Sequence, residues 1–203
     1  MRARRGRALH NRRVKRVAIV ATASGCGKTT FGRALASTLD VPFVELDAIH
    51  WQEGWAELDA AELRRRIVPL VERDAWVVDG SYRGKLGDLV LARADTVVWL
   101  DLPRRVWLPR LIWRTLRRAI LREELWNGNR ESLRSAFAHA DSLIRYALAN
   151  EASRRHRYPR ELAGYRVARL RSPSEVDAFL RSVTPVGRTP SRSDAMRDPD
   201  ASD

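Results

Sequence analysis

The chain has 203 residues, 44% of them hydrophobic and 31% charged, with a net charge of +13 and one cysteine, Cys26. That length allows one domain with a real core, and a single cysteine excludes an intrachain disulfide or a cysteine-built metal centre. No apolar run approaches a membrane span, and no apolar segment follows the charged N-terminus, so neither an anchor nor a secretory signal is expected and the cytoplasm is the expected compartment.

Residues 1–16 carry eight positive charges and no acid. Residues 1–13 read as a disordered basic arm, with nucleic acid as its conceivable partner against the blander reading of arginine-rich base composition. "RVAIVA" is a short β-branched run of the kind buried in parallel sheets. It leads into a Gly/Ser loop and then a helix, "TTFGRALASTL", broken at Asp40 and Pro42. "PFVELD" reads as a second strand, and "LDAAELRRRIVPLVERD" as a helix with Leu58, Leu63, Ile67, Leu70 and Val71 on one face. "AWVVDG" and "DTVVWLDLP" are the third and fourth strands. Arg104 to Glu124 is a basic helix with Pro109 either kinking it or opening its second half. "ELWNGNRES" is a break, after which Ser132 caps a long helix towards Arg157, closed by Pro159. "YRVARLR" is a fifth strand, and "SPSEVDAFLRSV" a helix with Ser172 as N-cap and Pro173 at its first position. Residues 184–203 read as a disordered tail, which leaves 14–183 as the folded domain.

Strands alternating with helices give an α/β fold with a five-stranded parallel sheet covered on both faces, in which ligands bind beyond the carboxyl ends of the strands. The first strand ends in "TASGCGKTT". Ser24, Gly25, Cys26, Gly27, Lys28, Thr29 and Thr30 form the expected phosphate loop. The glycines let backbone N–H groups turn inward, Lys28 reaches the outer phosphates of ATP, and Thr29 places its hydroxyl on Mg²⁺. The pattern G-x-x-x-x-G-K-[ST] has glycine where this chain has Thr22, which predicts altered loop geometry or weaker affinity. An ATP-binding protein with degenerate catalysis is the reading this departure supports. Cys26 at a helix start is either a thiol of lowered pKa or a small filler.

Three carboxylates follow strands: Asp47, Asp79 and Asp101. Asp79 is the candidate Mg²⁺ ligand with Thr29. Asp47 is the candidate for substrate contact and, for an alcohol acceptor, the base. Asp101 is expected to cap the next helix. Arg83 lies four residues after Asp79, and Arg110 and Arg114 share a helix face, as cations for spreading phosphoryl charge; the alternative is a solvated basic face. Trp51 and Trp55 offer stacking or core packing. His50 and His139 are isolated, and no Ser/His/Asp arrangement stands out.

This order of motifs resembles the adenylate-kinase-like P-loop kinases. "VVDGSYRGK" is similar to their "DGFPR" segment, which implies that Asp79 organises Mg²⁺ through water and Arg83 holds a monophosphate. "WLPRLIWR" resembles their ATP-side helix, with Arg110 and Arg114 on the phosphates. More closely, "ASGCGKTT", "LDAIHW", "WVVDGSY", "ADTVVWLDLPR" and "ELWNGNRES" resemble the small bacterial ATPases called DNA topology modulation or adenylate-kinase-like proteins. The resemblance spans about residues 16–182. It implies a three-layer P-loop NTPase fold of nucleoside-monophosphate-kinase type, ATP and Mg²⁺ as cofactors, and a small-molecule acceptor. Tyr82 and Ser81 replace the proline and phenylalanine of that segment, and 119–131 has room only for a short lid. "LDAIHW" is closer to the strand-two ends of gluconate- and shikimate-type kinases, where an aspartate meets the acceptor hydroxyl. The implied activity is phosphoryl transfer to a nucleoside monophosphate or small hydroxyl compound; the alternative is an ATP-dependent nucleic-acid-associated regulator.

Overall fold

The structure, a computed structural model, describes residues 14–121, 123–129 and 133–183, with side chains in the long helix described from Ala147 onward. The arm over 1–13, the tail over 184–203, the Ser132 cap and His139 lie outside the described residues or side chains. Five strands form one parallel sheet: β1 (Arg16–Ala21), β2 (Phe43–Glu45), β3 (Trp76–Asp79), β4 (Thr96–Leu100) and β5 (Val167–Leu170), in the spatial order β2-β3-β1-β4-β5. β1 is thus central, flanked by β3 and β4. The expected α/β class and five-stranded parallel sheet are both present.

Alternation along the strands divides the core into two layers. On one face, Val17, Ile19, Val77, Val98 and Leu100 pack with residues from α1 (Lys28–Leu39), α6 (Arg104–Leu121) and α8 (Pro173–Ser182). On the other, Ala18, Val20, Trp76, Val78 and Trp99 pack with residues from α3 (Ala60–Val71), α4 (Arg83–Leu86) and α5 (Leu89–Arg93). The apolar stripe of α3 behaves as its spacing predicts. Leu63, Ile67 and Val71 are fully buried, Leu58 and Leu70 pack partly buried beside them, and Asp59 caps the helix by accepting from the Glu62 N–H at 2.8 Å. Ser172 caps α8 in the same way, accepting from the Glu175 N–H at 3.2 Å.

Four boundaries differ from the sequence expectation. β2 stops at Glu45, whose partner Asp79 is the last residue of β3, and Leu46 to His50 turn at once into a short helix, α2 (Leu46–His50). Asp47 therefore stands in the first turn of α2 and not at a strand end. The segment after Asp79 folds into α4 and α5, which no periodicity announces in so few residues. The basic helix α6 ends at Leu121 with Pro109 inside it. The long helix α7 (Leu133–Glu161) runs through Pro159, which was expected to close it. Proline removes one N–H bond, but the Leu162 N–H donates to the Tyr158 carbonyl at 2.9 Å, Leu162 is buried, and Glu161 pairs with Arg83 and Arg157 at 3.2 Å each. These contacts hold the last turn beyond the proline.

Candidate active site

The loop after β1 turns through two left-handed glycines, Gly25 at φ 85° and Gly27 at φ 82°, and Gly27 opens α1. Gly25 is required twice over. Its φ disfavours any side chain, and a Cβ there would lie 2.5 Å from the Trp107 carbonyl oxygen and 3.0 Å from Leu111 Cβ of α6. Thr22 is not among the positive-φ residues, so its backbone makes no demand for glycine. Its side chain is fully buried, donates to Asp101 Oδ1 at 2.9 Å and accepts the Trp99 indole N–H at 2.8 Å.

Asp101 corrects an expectation. It caps no helix; α6 begins three residues later, and the carboxylate is consumed by Thr22, by Arg155 at 3.1 Å and by Arg169 at 2.5 Å. Cys26 resolves towards the filler reading. It is buried, and burial pushes its thiol pKa up rather than down, outweighing the backbone hydrogen bonds and nearby Lys28. Ser24 on the loop and Thr30 in the first turn of α1 are exposed.

Lys28, at the start of α1, places Nζ 3.1 Å from Asp79 Oδ1. That contact is within ion-pair distance but lacks hydrogen-bond alignment, so the buried Oδ1 has no hydrogen-bond partner. The Thr29 hydroxyl donates to Asp79 Oδ2 at 2.7 Å and lies 3.4 Å from Glu45 Oε1. Glu45 is held in turn by Arg33 at 3.1 Å. Sequence reasoning missed Glu45. Its signal was its place opposite the Asp79 strand end, visible only once β2 and β3 were known to be neighbours.

Lys28 and Asp79 open into a cleft of about 950 Å³ lined also by Ala23 and Ser24 of the loop, by Asp47, His50 and Trp51, by residues 80–85, and by Arg154, Arg157, Tyr158 and Glu161 of α7. Asp47 accepts the Tyr82 hydroxyl on Oδ1 at 2.6 Å. Arg83 lines the cleft with its guanidinium already engaged, by Asp88 at 2.6 Å and Glu161 at 3.2 Å. Arg154 and Arg157 were not anticipated. Their signal was the spacing of Arg154, Arg157, Tyr158 and Glu161 along one helix face, lost among so many arginines. Arg154 donates to the Ala21 carbonyl at 3.4 Å, and no carboxylate pairs with it among the described residues. Arg110 and Arg114 are exposed on α6, which packs against Gly25; neither lines this cleft.

The outer wall is a small hairpin after α2. The Leu58 N–H donates to the His50 carbonyl at 3.1 Å and the Gln52 N–H to the Ala56 carbonyl at 2.8 Å. Trp51 contacts both His50 and Trp55 edge-on, so the two tryptophans pack on this wall. His50 is buried. Burial, then the Lys85 ammonium, holds its pKa below the ordinary value despite Glu57. Asn127 and Asn129, in the described part of the "ELWNGNRES" segment, strap this hairpin down. Asn129 is buried, donates to the Gln52 carbonyl and accepts the Trp55 N–H, each at 2.8 Å, and Asn127 donates to the Ala48 and Trp51 carbonyls. Among the described residues no helix is long and apolar enough to cross a membrane.

Residues 24–57, from the loop through the hairpin, match the family model of shikimate kinase. No curated protein matches the sequence. Among solved structures, a gluconokinase from Sinorhizobium meliloti 1021 is 22% identical, with 84% of this chain and 90% of that chain covered and a TM-score of 0.50. A shikimate kinase from Bacteroides thetaiotaomicron is 18% identical (83% and 95% covered, TM-score 0.49). One from Acinetobacter baumannii, in complex with shikimate, is 19% identical (83% and 90% covered, TM-score 0.45). The fold is that of the P-loop kinases. The narrower likeness to the DNA topology modulation group rests on the quoted motifs alone.

Proposed function

We propose that the protein is a small-molecule kinase that moves the γ-phosphoryl group of ATP to a hydroxyl of a small anionic acceptor. The observation that carries the reading is convergence. A lysine at a glycine-bracketed helix start, Asp79 at the neighbouring strand end and Asp47 beyond the next strand all border one cleft, and the adjacent Thr29 hydroxyl donates to Asp79. The shikimate kinase match over 24–57 covers the loop and Asp47 together.

Each residue has a role in this scheme. The loop amides and the α1 N-terminus cradle the phosphates, and Lys28 neutralises their outer oxygens. Thr29, Asp79 and Glu45 fit Mg²⁺, since a hydroxyl lies between two carboxylates and a buried Asp79 oxygen lacks a hydrogen bond. Bound there, Mg²⁺ would offset charge on the phosphate oxygens. Asp47 accepts the proton of the acceptor hydroxyl as the new O–P bond forms and the bond to ADP breaks. Arg154 is the cation we assign to the acceptor's anionic group. Arg83, engaged by Asp88 and Glu161, ties α4 to α7 instead. Arg110 and Arg114, on the helix beside the loop, are assigned to the ATP side. A hydroxyl compound is favoured over a nucleoside monophosphate because the "LDAIHW" segment falls within the shikimate kinase match.

The test is transfer from γ-labelled ATP with Mg²⁺ to a panel of hydroxy acids, cyclic alcohols and nucleoside monophosphates, with Lys28→Ala as the blank. Label on a hydroxy acid is expected. Label only on water, or on nothing, overturns the reading.

A further inference from the structure

We infer that Tyr82 is a positioning residue for phosphoryl transfer: its hydroxyl fixes the Asp47 carboxylate through Oδ1 and leaves Oδ2 for the acceptor. The inference rests on the kinase reading and goes beyond it, to a residue that no motif assigns.

Two observations carry it. The first is the hydrogen bond itself, 2.6 Å between groups thirty-five residues apart on α2 and at the head of α4. Asp47 Oδ2 has no hydrogen-bond partner among the described residues, and Asp47 lines the cleft. The second is backbone conformation. Tyr82 sits at φ 45°, ψ 41°, in the left-handed region that an aromatic residue resists. Glycine or asparagine would adopt this backbone with less strain, and neither would reach Asp47. Strain of this kind persists where the surroundings over-determine it, and it clusters at functional sites. Here Gly80, at φ 103°, turns the chain after β3, the Tyr82 carbonyl accepts the Lys85 and Leu86 N–H groups at 2.9 and 2.8 Å, and the Tyr82 ring packs against His50 at 4.8 Å.

The electrostatic surroundings keep the phenol a donor. Burial, then the charge of Asp47, pushes its pKa far above the ordinary tyrosine value. Other groups facing the pair are His50 from α2, Glu57 from the hairpin, Asp79 from β3, Arg83 and Lys85 from α4, and Arg154 and Arg157 from α7. A fixed carboxylate matters because a general base must meet its proton in a narrow geometry.

The experiment is a double-mutant cycle in the full chain, read by steady-state transfer to whichever acceptor the wild type phosphorylates. Tyr82→Phe is expected to lower kcat about tenfold, a part of the roughly 10²–10⁴-fold a positioned base contributes, with KM for ATP and Tm nearly unchanged. In an Asp47→Asn background the same change should cost nothing further. Tyr82→Asn should lose kcat as Tyr82→Phe does. Unchanged kcat in Tyr82→Phe, or an equal loss in both backgrounds, overturns the inference while the kinase reading stands. A wild type that transfers label to no acceptor overturns both.

Discussion

Thr22 and Asp101 are joined by a 2.9 Å hydrogen bond in the buried space beneath the phosphate loop. Thr22 occupies the position where the loop pattern has its first glycine, and the bond gives the substitution a structural meaning. The Thr22 hydroxyl also accepts the Trp99 indole N–H, so one side chain ties the loop to the end of β4. Through Asp101 it reaches Arg155, the neighbour of the cleft arginine Arg154.

Thr22→Gly is therefore expected to destabilise the fold. It strands a buried indole N–H and removes one donor from a buried carboxylate, a loss of about 1–3 kcal/mol on the usual scale for unsatisfied groups. Thr22→Ser, which keeps the hydroxyl, should recover most of it. Urea unfolding of the three proteins measures this. The melting shift induced by ATP and Mg²⁺ should survive in all three, because the loop's left-handed positions are Gly25 and Gly27. Equal stability of Thr22→Gly and wild type would show that the bond contributes nothing.

Lys28 is the loop cation, 29% exposed and 3.1 Å from Asp79. Lys28→Ala should abolish ATP-dependent stabilisation. For a ligand at a hundred times its Kd, that stabilisation is about 2.7 kcal/mol in the wild type. Thermal melts with and without ATP and Mg²⁺ read the difference directly. A shift of wild-type size in the variant would remove the loop from the binding site.

The parts of this site that lie close in sequence were legible without a structure. The β1–loop–α1 run declares itself by order, and Asp47 and Asp79 by the strands before them. What was not legible depends on which strands are neighbours. Glu45 joins Thr29 only because β2 and β3 pair in register, and Arg154 enters the cleft only because α7 runs past the end of β1. Asp101 looked like a cap because the arginines that claim it come from 54 and 68 residues away. Pro159 looked like a terminator because the ion pairs of Glu161 leave no mark on local propensity.

Asp79 is 5% exposed and meets both Lys28 and Thr29. Asp79→Asn keeps the shape and one acceptor oxygen while removing the charge proposed to hold a divalent cation. Transfer measured across a Mg²⁺ titration should show the half-saturating Mg²⁺ concentration rising at least about tenfold, a loss of about 1.4 kcal/mol in metal binding. Tm should fall by only a few degrees. Glu45→Gln should move the Mg²⁺ curve the same way by less, since its contact with Thr29 is longer, at 3.4 Å. Identical Mg²⁺ curves for wild type and Asp79→Asn would take the metal away from this residue.

His50 gives the fold a pH dependence whose sign follows from its burial. Its folded pKa lies below the ordinary 6.5, because burial and then Lys85 oppose the charged ring. As pH falls through 6.5, the unfolded chain binds a proton that the folded protein refuses, so the unfolded state gains and stability declines. The decline continues down to the folded pKa, with a slope of at most about 1.4 kcal/mol per pH unit for one proton. Glu57 works in the same sense at lower pH: paired with Lys85 at 2.6 Å, its carboxyl titrates below its ordinary 4.5, so its contribution, present above 4.5, is lost as pH falls towards its folded pKa. His50→Asn cannot titrate. Its unfolding free energy, measured in urea between pH 7.5 and 5.5, should be flatter than that of the wild type by the His50 term alone. Parallel curves would mean that His50 charges in the folded protein as readily as in the unfolded chain, and that the Lys85–Glu57 pair has adjusted to admit it.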